Sequence, residues 1–434
     1  MKPNKQILSL AVPNILTNLS VPLLSSVDTA VVGHLDKTYY LGAIAVGSMI
    51  FNFIYWMFGF LRMGTTGFTS QAVGKKDEKE IIHNLLRPAI IALAFALLII
   101  VLQYFIALVA FSVLDASAQV EKYASQYFYI RIYAAPATLL IYVFHGWFLG
   151  MQNARYPLIL LISVNILNVV ANLFFIYVVG MKSEGVAYGT VVAQYSGLLL
   201  ALFLFFAKYK KLLNRYSVKE ILNISKLKDF YQVNGNIFIR TLALLFVLSF
   251  FTAESASFGD NILAANTILM QMWIVISYAV DGFAFAAESI VGKMIGAGEK
   301  LHLKLTVKYL FAWGLGIGIF FTLGYLFFGE IIIKIFTDNK TVITIALEFI
   351  GWTIAMQIIN SIGFIWDGIY LGATKTKAMR NSMLISTLLV FLPIYYATKG
   401  ILGNHSLWFA LTLFMIVRAS TLTFSAKKEI FDFK

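Results

Sequence analysis

Long apolar segments are the feature that most constrains this chain. Most stretches between its charge clusters are apolar for about 20 residues or more, the length that an α-helix needs to cross about 30 Å of hydrocarbon. Helices satisfy their own backbone hydrogen bonds and can therefore span lipid. We predict an all-α polytopic membrane protein with twelve transmembrane helices, near residues 7 to 33, 41 to 72, 88 to 112, 122 to 150, 157 to 180, 185 to 207, 230 to 257, 262 to 292, 306 to 334, 341 to 371, 379 to 398 and 401 to 425.

The composition agrees with a lipid environment. Hydrophobic residues make up 60% of the chain and charged residues 13%, whereas soluble domains are about 45 to 50% apolar. The absence of cysteine excludes disulfides, thiolate metal sites and cysteine nucleophiles. The basic start runs directly into an apolar segment without a small-residue cleavage site, so we expect this segment to be retained as the first span.

Basic residues are distributed unevenly between the two sides of the predicted bundle. With both termini on one side, 24 of the 34 lysines and arginines fall in the termini and the even-numbered turns, and six fall on the other side. The positive-inside rule then predicts that both termini are cytoplasmic, in a multi-pass protein of the plasma or inner membrane. We expect the net charge of +13 to face anionic lipid and not nucleic acid. The remaining four basic residues fall within spans: Arg62, Arg131, Arg240 and Arg418.

The chain divides into two halves at a basic connection. Residues 208–229, KYKKLLNRYSVKEILNISKLKD, intersperse leucine and isoleucine with lysine, which is typical of an amphipathic segment at a membrane surface. We predict an N-lobe of six helices over residues 1–207, a cytoplasmic linker over 208–229 and a C-lobe of six helices over 230–434.

A constant shift of 222 residues relates the two halves. It places SQAVGKKD at 70 on GKMIGAGE at 292 and, with no gap, HGWFLGMQNAR at 145 on DGIYLGATKTK at 367. Six spans separate equivalent positions, so the two halves share one orientation in the membrane. Parallel repeats related by an axis along the membrane normal are the plan of transporters with a central cleft between two bundles.

The sequence contains none of the common catalytic motifs. H-E-x-x-H, G-x-S-x-G and a Walker-type loop are all missing, and GAGEK at 296 is better interpreted as a turn that ends a helix. We therefore predict no enzymatic activity, no cofactor and no metal site. Because no nucleotide site is evident, any active transport must use an ion gradient.

Ionisable residues at membrane depth are the candidate coupling residues, since burying them costs about 2.5 to 3.5 kcal/mol on insertion scales. Asp28, in LSSVDTAVVGHL, is the only acidic residue well inside a span of the first half. A low dielectric favours the neutral carboxyl, so this group can exchange a proton near neutrality; a permanently neutral Asp28 is the structural alternative. His145, whose imidazole has an ordinary pKa of about 6.5, is the second candidate, with a packing role as its alternative.

A polar stripe accompanies these residues. Asn165, Asn168 and Asn172 are spaced by three and four, which places them on one face of the fifth span. Such a stripe serves either helix packing by hydrogen bonds or a binding cavity. The neighbouring Asp28 carboxylate favours the binding cavity, and Tyr127 and Thr190 are further polar residues within the spans of this half.

The second half contains a different set of charges. Asp281 and Glu288 are two turns apart on one helical face, and Arg240 in the preceding span is the predicted partner of Asp281. Asp367 is expected near a solvated helix end. These residues, with Glu254, form either a structural charge cluster or an ion-binding site.

The sequence resembles the multidrug and toxic compound extrusion (MATE) transporters, and within them the DinF-like branch. The resemblance spans nearly the whole chain, and it is carried by SSVDTAVVGHL at 25, SQAVGKKD at 70, NVVANLFF at 168, GVAYGT at 185, ILAANTILMQ at 262, SYAVDGFAFAAE at 277, GKMIGAGE at 292 and WDGIYLGATKTKAMRNSM at 366. The segments DGFAFA and DGIYLGATKTKAMRNS are the most branch-specific.

The resemblance implies two six-helix lobes that alternate between outward-open and inward-open states. It also implies that the protein exports cationic or amphipathic organic compounds in exchange for protons or sodium. The proposed protonation site of DinF-like members matches Asp28. Two positions depart from the family: Asn172 is often Asp there, and His145 is often Asn. The associated polar network matches Tyr127, His145, Asn168, Asn172 and Thr190.

We therefore expect a proton-coupled exporter that acts as a monomer on a small organic cation or amphipathic substrate and contacts membrane lipid. A sodium-coupled exporter is the first alternative. A flippase for lipid-linked precursors is the second, and it predicts a strongly cationic cavity. A membrane scaffold or receptor would tolerate the loss of the Asp28 carboxylate, and an intramembrane enzyme would need a nucleophile and a base.

Overall fold

The structure is a computed structural model that describes residues 3–33, 37–113, 116–221 and 223–432, with the side chains of 21–33 and 113 left aside. The described residues form helices and turns without a strand. Eleven of their helices are long and apolar enough to cross a membrane, and the helix Pro3–Gly33, of 31 residues, is the twelfth long helix. The predicted all-α, twelve-helix membrane fold is therefore confirmed.

Two compact units divide the chain. The N-unit consists of residues 16–229 and the C-unit of residues 1–15 and 230–434. The long helices of the N-unit, the first of which also supplies residues to the C-unit, are α1 (Pro3–Gly33), α2 (Thr38–Lys75), α3 (Glu78–Val101), α4 (Ala118–Gly150), α5 (Arg155–Val178) and α6 (Ser183–Arg215).

Six further helices build the C-unit: α7 (Ile224–Ser257), α8 (Asp260–Ala297), α9 (Lys300–Phe336), α10 (Lys340–Gly372), α11 (Thr376–Leu402) and α12 (His405–Phe431). The start of α1 packs closely within this unit. A Cβ atom on Gly282 of α8 would collide with Ile15 and with the backbone carbonyl of Ala11. Residues 1–15, which the sequence assigned to the N-lobe, thus group with the C-terminal half because Gly282 admits α1 at short range.

Residues 208–229 belong to the N-unit and are bound to the first half of α3 by hydrogen bonds. Arg87 donates hydrogen bonds to the backbone carbonyls of Glu220 (2.9 Å) and Ile221 (3.3 Å) and pairs with Glu80 at 2.8 Å. The backbone N–H of Ser217 donates to Nε2 of the buried His83 at 3.1 Å. A short helix, Val218–Ile221, forms the middle of this docked segment.

The turns of the two units repeat at the shift of 222. Gln152 and Thr374 follow α4 and α10, and both adopt positive φ, 61° and 55°. Lys76 after α2 and Gly298 after α8 do the same, at 57° and 73°. Since non-glycine residues seldom adopt positive φ, the coincidence at equivalent positions shows that the two halves share one backbone design.

Two pairs of equivalent glycines bring helices into backbone contact. A Cβ on Gly146 of α4 would collide with the carbonyl of Arg62 on α2, and one on Gly368 of α10 would collide with that of Ala284 on α8. One turn later, Gly150 lies against Thr66 and Gly372 against Glu288. Each contact is displaced from its counterpart by 222 residues on both helices, so the repeat extends to the helix packing.

We expect Gly368→Ala to destabilise the C-unit, because its methyl group must push α8 away. Overpacking of this kind costs about 1 to 3 kcal/mol. SDS-induced unfolding in mixed micelles measures the loss. Gly146→Ala should behave alike in the N-unit.

The matched control is Gly351→Ala on the same helix as Gly368, where a Cβ meets nothing within 4 Å. Helix propensity alone predicts that this variant is unchanged or more stable by up to about 1 kcal/mol. Equal stability of the Gly351 and Gly368 variants would contradict the packing role.

Candidate functional site

A three-residue ionic cluster lies in the interior of the C-unit. The carboxylate of Asp367 on α10 accepts hydrogen bonds from the guanidinium groups of Arg240 on α7 and Arg418 on α12. All three side chains are buried, with 6%, 8% and 1% of their surface exposed. Arg418 also lies over the ring of Phe364, 5.6 Å from its centroid. The cluster therefore joins three helices through two ion pairs that share one carboxylate.

Two expectations for this cluster are wrong. The buried partner of Arg240 is Asp367, because α10 brings its carboxylate to α7. Asp367 is buried between two arginines and does not lie at a solvated helix end. Asp281 is half-buried on α8, close enough for its charge to act on Arg418.

The other acidic residues of the C-unit differ in their surroundings. Glu254, near the end of α7, pairs with Lys399 at 2.7 Å and accepts a hydrogen bond from the hydroxyl of Tyr395 at 2.5 Å. Glu288 is fully buried on α8, and its backbone lies against Gly372. Glu254 thus forms an ion pair with one basic side chain and Asp367 with two.

The predicted asparagine stripe forms a network in the N-unit. Asn172 donates to Oδ1 of Asn168 at 3.2 Å, and Asn168 donates to the hydroxyl of Thr190 on α6 at 3.2 Å. Gly189 makes room for the Asn172 side chain, since a Cβ at position 189 would collide with it. Asn165 is half-buried one turn earlier on α5.

Tyr127 lies in a different group of contacts. Its hydroxyl accepts a hydrogen bond from Nη1 of Arg131 at 2.6 Å and shares one with Ser48 of α2 at 3.3 Å. Arg131 also donates to Ser48 at 3.2 Å, and its guanidinium lies 4.8 Å from the ring centroid of Phe51. A Cβ on Gly47 would collide with the Tyr127 ring. Within the described residues, Tyr127 therefore joins Arg131 and not the asparagines.

Further polar side chains continue from Arg131 along the same helices. Tyr55 of α2 lies close enough to Arg131 for the guanidinium charge to act on it, and it lies beside Thr138 of α4. Both hydroxyls are buried, and neither makes a well-aligned hydrogen bond within the described residues.

His145 lies at the far end of this group. Arg62 of α2 is close enough for its charge to act on both Tyr142 and His145 of α4. The Nε2 atom of His145 is buried and has no hydrogen-bond partner in the part of the chain that the structure describes. We call the whole group the N-seam: Ser48, Phe51, Tyr55 and Arg62 of α2 with Tyr127, Arg131, Thr138, Tyr142 and His145 of α4.

The repeat places a counterpart of the N-seam in the C-unit. At the shift of 222, all nine of its residues correspond to positions on α8 and α10, and the rings of Trp273 and Phe364 among these lie 6.3 Å apart. Trp273 Nε1, Thr353 Oγ1 and both amide atoms of Asn360 are buried without a hydrogen-bond partner among the described residues. Buried polar atoms are normally paired with protein or water, so this group, the C-seam, is also a candidate polar lining: Trp273, Thr353, Asn360, Phe364 and Asp367.

The side chain of Asp28 lies outside the described residues. Its backbone belongs to α1. The predicted coupling roles of Asp28 and His145 therefore stay predictions.

Arg131, Arg418 and the hydroxyls of Ser48 and Tyr55 are site residues that the sequence did not single out. A usable signal exists for the arginines, because a charge within an apolar span needs a partner. The hydroxyls give no such signal, since serine and tyrosine occur throughout membrane helices.

Comparison with known proteins places these features in a wider group. The family model described as MatE matches residues 13–174 and 237–396, and the ends of these two segments are again 222 residues apart. DNA damage-inducible protein F of Escherichia coli (strain K12) is 35% identical over 423 residues, which cover 96% of this chain and 91% of that protein.

More distant proteins match over similar lengths. The probable multidrug resistance protein NorM of Photorhabdus laumondii is 25% identical, with 96% of this chain and 94% of that protein covered. A solved structure described as MATE in the bent conformation aligns with a TM-score of 0.88 at 18% identity, covering 99% of this chain and 96% of that one. The fold is thus shared well beyond recognisable sequence identity.

We expect Asp367→Asn to destabilise the protein strongly, because two buried guanidinium groups lose their carboxylate. Removing one partner of a buried ion pair costs about 3 to 5 kcal/mol. SDS-induced unfolding in mixed micelles measures the loss.

Glu254→Gln is the comparison variant. Its carboxylate is 22% exposed, so solvent screens the lost pair and the loss should be smaller. In the Asp367→Asn background, Arg418→Met should recover part of the stability. Unfolding of the Asp367 variant at the wild-type SDS concentration would show that the cluster does not hold the C-unit together.

Proposed function

Because the chain belongs to the MatE family, we propose that it is a secondary active antiporter that exports cationic or amphipathic organic compounds by alternating access, in exchange for protons. The names of the relatives support the export of drugs, since NorM is described as a multidrug resistance protein. The parallel repeat of two helical units supports alternating access.

The Arg240–Asp367–Arg418 cluster is the observation that favours protons over sodium. A sodium ion needs oxygen ligands whose charge is not already compensated. Asp367 forms ion pairs with two arginines, and Glu254 forms one with a lysine. A sodium ion at either carboxylate would therefore have to displace a basic side chain of the protein itself. A sodium-coupled exporter remains the first alternative.

In the proposed cycle Asp28 exchanges the coupling proton. The deprotonated carboxylate favours the substrate-loaded state, and protonation from outside rearranges the hydrogen bonds of α1 and releases the substrate. The proton can act only through a difference in affinity between the two states. His145 is a second proton-handling candidate, since its buried Nε2 has no partner among the described residues.

One observation favours a second candidate function. The N-seam contains the cations Arg62 and Arg131, and a flippase for lipid-linked precursors needs positive charge to hold phosphate groups. The buried arginines of the C-unit, Arg240 and Arg418, both pair with Asp367 and offer no comparable support for it.

Exchange of protons for a cationic dye tests the antiport proposal. In proteoliposomes with purified protein, an imposed pH gradient should drive ethidium across the membrane. A pH dye in the lumen should report proton movement in the opposite direction. We expect Asp28→Asn to lower both rates by about tenfold or more, and His145→Asn to lower them less.

Asp338→Asn, at an exposed carboxylate in a turn, is the matched control and should behave as wild type. Normal exchange by the Asp28 variant would exclude it as the coupling site. Ethidium movement driven by a sodium gradient alone, with no response to pH, would instead support the sodium-coupled alternative.

A further inference from the structure

Arg131 is half-buried and, unlike the buried arginines, has no carboxylate partner among the described residues. Arg87 pairs with Glu80, and Arg240 and Arg418 share Asp367. No carboxylate of the described residues lies within ion-pair distance of Arg131, whose hydrogen bonds go to the hydroxyls of Ser48 and Tyr127. Within the described residues its charge is therefore held in place but not paired with a carboxylate.

The position of Arg131 makes its charge costly. It lies about 20 Å along α4 from the helix start, at 1.5 Å per residue, and its Nε atom is buried without a partner in the described part of the chain. Arginine within a membrane span normally pairs with an acid or faces a polar cavity, and it marks a functional site by default.

The repeat shows that the scaffold does not require an arginine here. The equivalent residue on α10 is Thr353, 222 positions later, and the C-unit packs its helices in the same way with that smaller side chain. The helix packing that the two units share therefore does not require Arg131, and its role is to bind a ligand.

The neighbours of Arg131 suit an anionic group attached to an apolar body. Phe51 presents its ring to the guanidinium at 4.8 Å. The hydroxyls of Tyr55 and Thr138, both more than nine-tenths buried, lie beside each other on the same seam without a well-aligned hydrogen bond, so both can donate to a ligand. A carboxylate, sulfonate or phosphate accepts hydrogen bonds from guanidinium and hydroxyl groups, and charge-assisted bonds of this kind are the strong ones.

We propose that the N-seam binds the anionic group of an amphipathic ligand at Arg131, with Tyr55 and Thr138 as additional donors and Phe51 as the apolar contact. The inference deepens the proposed exporter: its substrates then include amphipathic anions and zwitterions, and not cations alone. The same chemistry fits the head group of an anionic lipid.

Three ligands with one ring system test the charge preference: 2-naphthoate, uncharged 2-naphthamide and cationic 2-naphthylmethylamine. Calorimetric titration of the purified full-length protein in neutral detergent should show naphthoate binding roughly tenfold or more tighter than naphthamide, as expected for a hydrogen-bonded charge. In Arg131→Gln this ratio should fall to about one, while naphthamide affinity is retained.

Two variants separate charge from structure. Arg131→Lys should keep most of the preference for naphthoate, and Tyr127→Phe, which removes one hydroxyl that holds the guanidinium, should give an intermediate ratio. Lys122→Gln removes an exposed charge from the same helix and should leave the ratio unchanged. The proposal fails if wild type does not prefer naphthoate, or if Arg131→Gln weakens all three ligands equally.

A lipid arm identifies the source of the anion. In phosphatidylcholine nanodiscs, addition of phosphatidylglycerol should weaken naphthoate binding through Arg131 if a lipid head group is the occupant, and should leave it unchanged if the occupant is a solute. Both results keep an anion at Arg131. Loss of the naphthoate preference with intact proton-driven ethidium export would overturn this inference alone. Loss of proton-driven ethidium export with an intact naphthoate preference would overturn only the exporter mechanism.

Discussion

A glycine that meets a backbone carbonyl determines the position of the polar residues in each unit. Gly146 lies against Arg62 in the N-unit, and Gly368 lies against Ala284 in the C-unit. The residue immediately before each glycine is therefore fixed in position along its own helix. That residue is His145 in one unit and Asp367 in the other, so one packing contact places an ionisable group at the equivalent position of both.

The two units use this shared geometry differently. In the C-unit the carboxylate of Asp367 is shared by two arginines, an arrangement in which loss of the carboxylate leaves two buried guanidinium groups without their ion pair. In the N-unit, Arg131 is held by hydroxyls and a ring, and His145 has an unpartnered nitrogen. The C-unit cluster has little to gain from a further ion, whereas the N-seam can still gain hydrogen bonds from a ligand or a proton.

The twelve helices and their repeat could be predicted because apolar length and glycine turns are local signals. The shift of 222 identified both glycine pairs before their contacts were known. The partner of Arg240 could not be predicted, since the sequence favours the adjacent helix with Asp281 and cannot show that α10 is the one that faces α7. The N-seam was missed for a similar reason. Tyr127 groups with Arg131 only because α2 packs on that face of α4, which no spacing within α4 reveals.

Residues of α1 bear on how a proton in one unit acts on the protein. The helix is continuous from Pro3 to Gly33, yet its first part packs in the C-unit, where Gly282 meets Ala11 and Ile15, and the rest is counted with the N-unit. Asp28, the proposed protonation site, lies on the second part. A rearrangement at Asp28 therefore acts on a helix whose other end is fixed by backbone contact in the C-unit. Such a rearrangement must either bend α1 or move the segments of the chain that α1 connects.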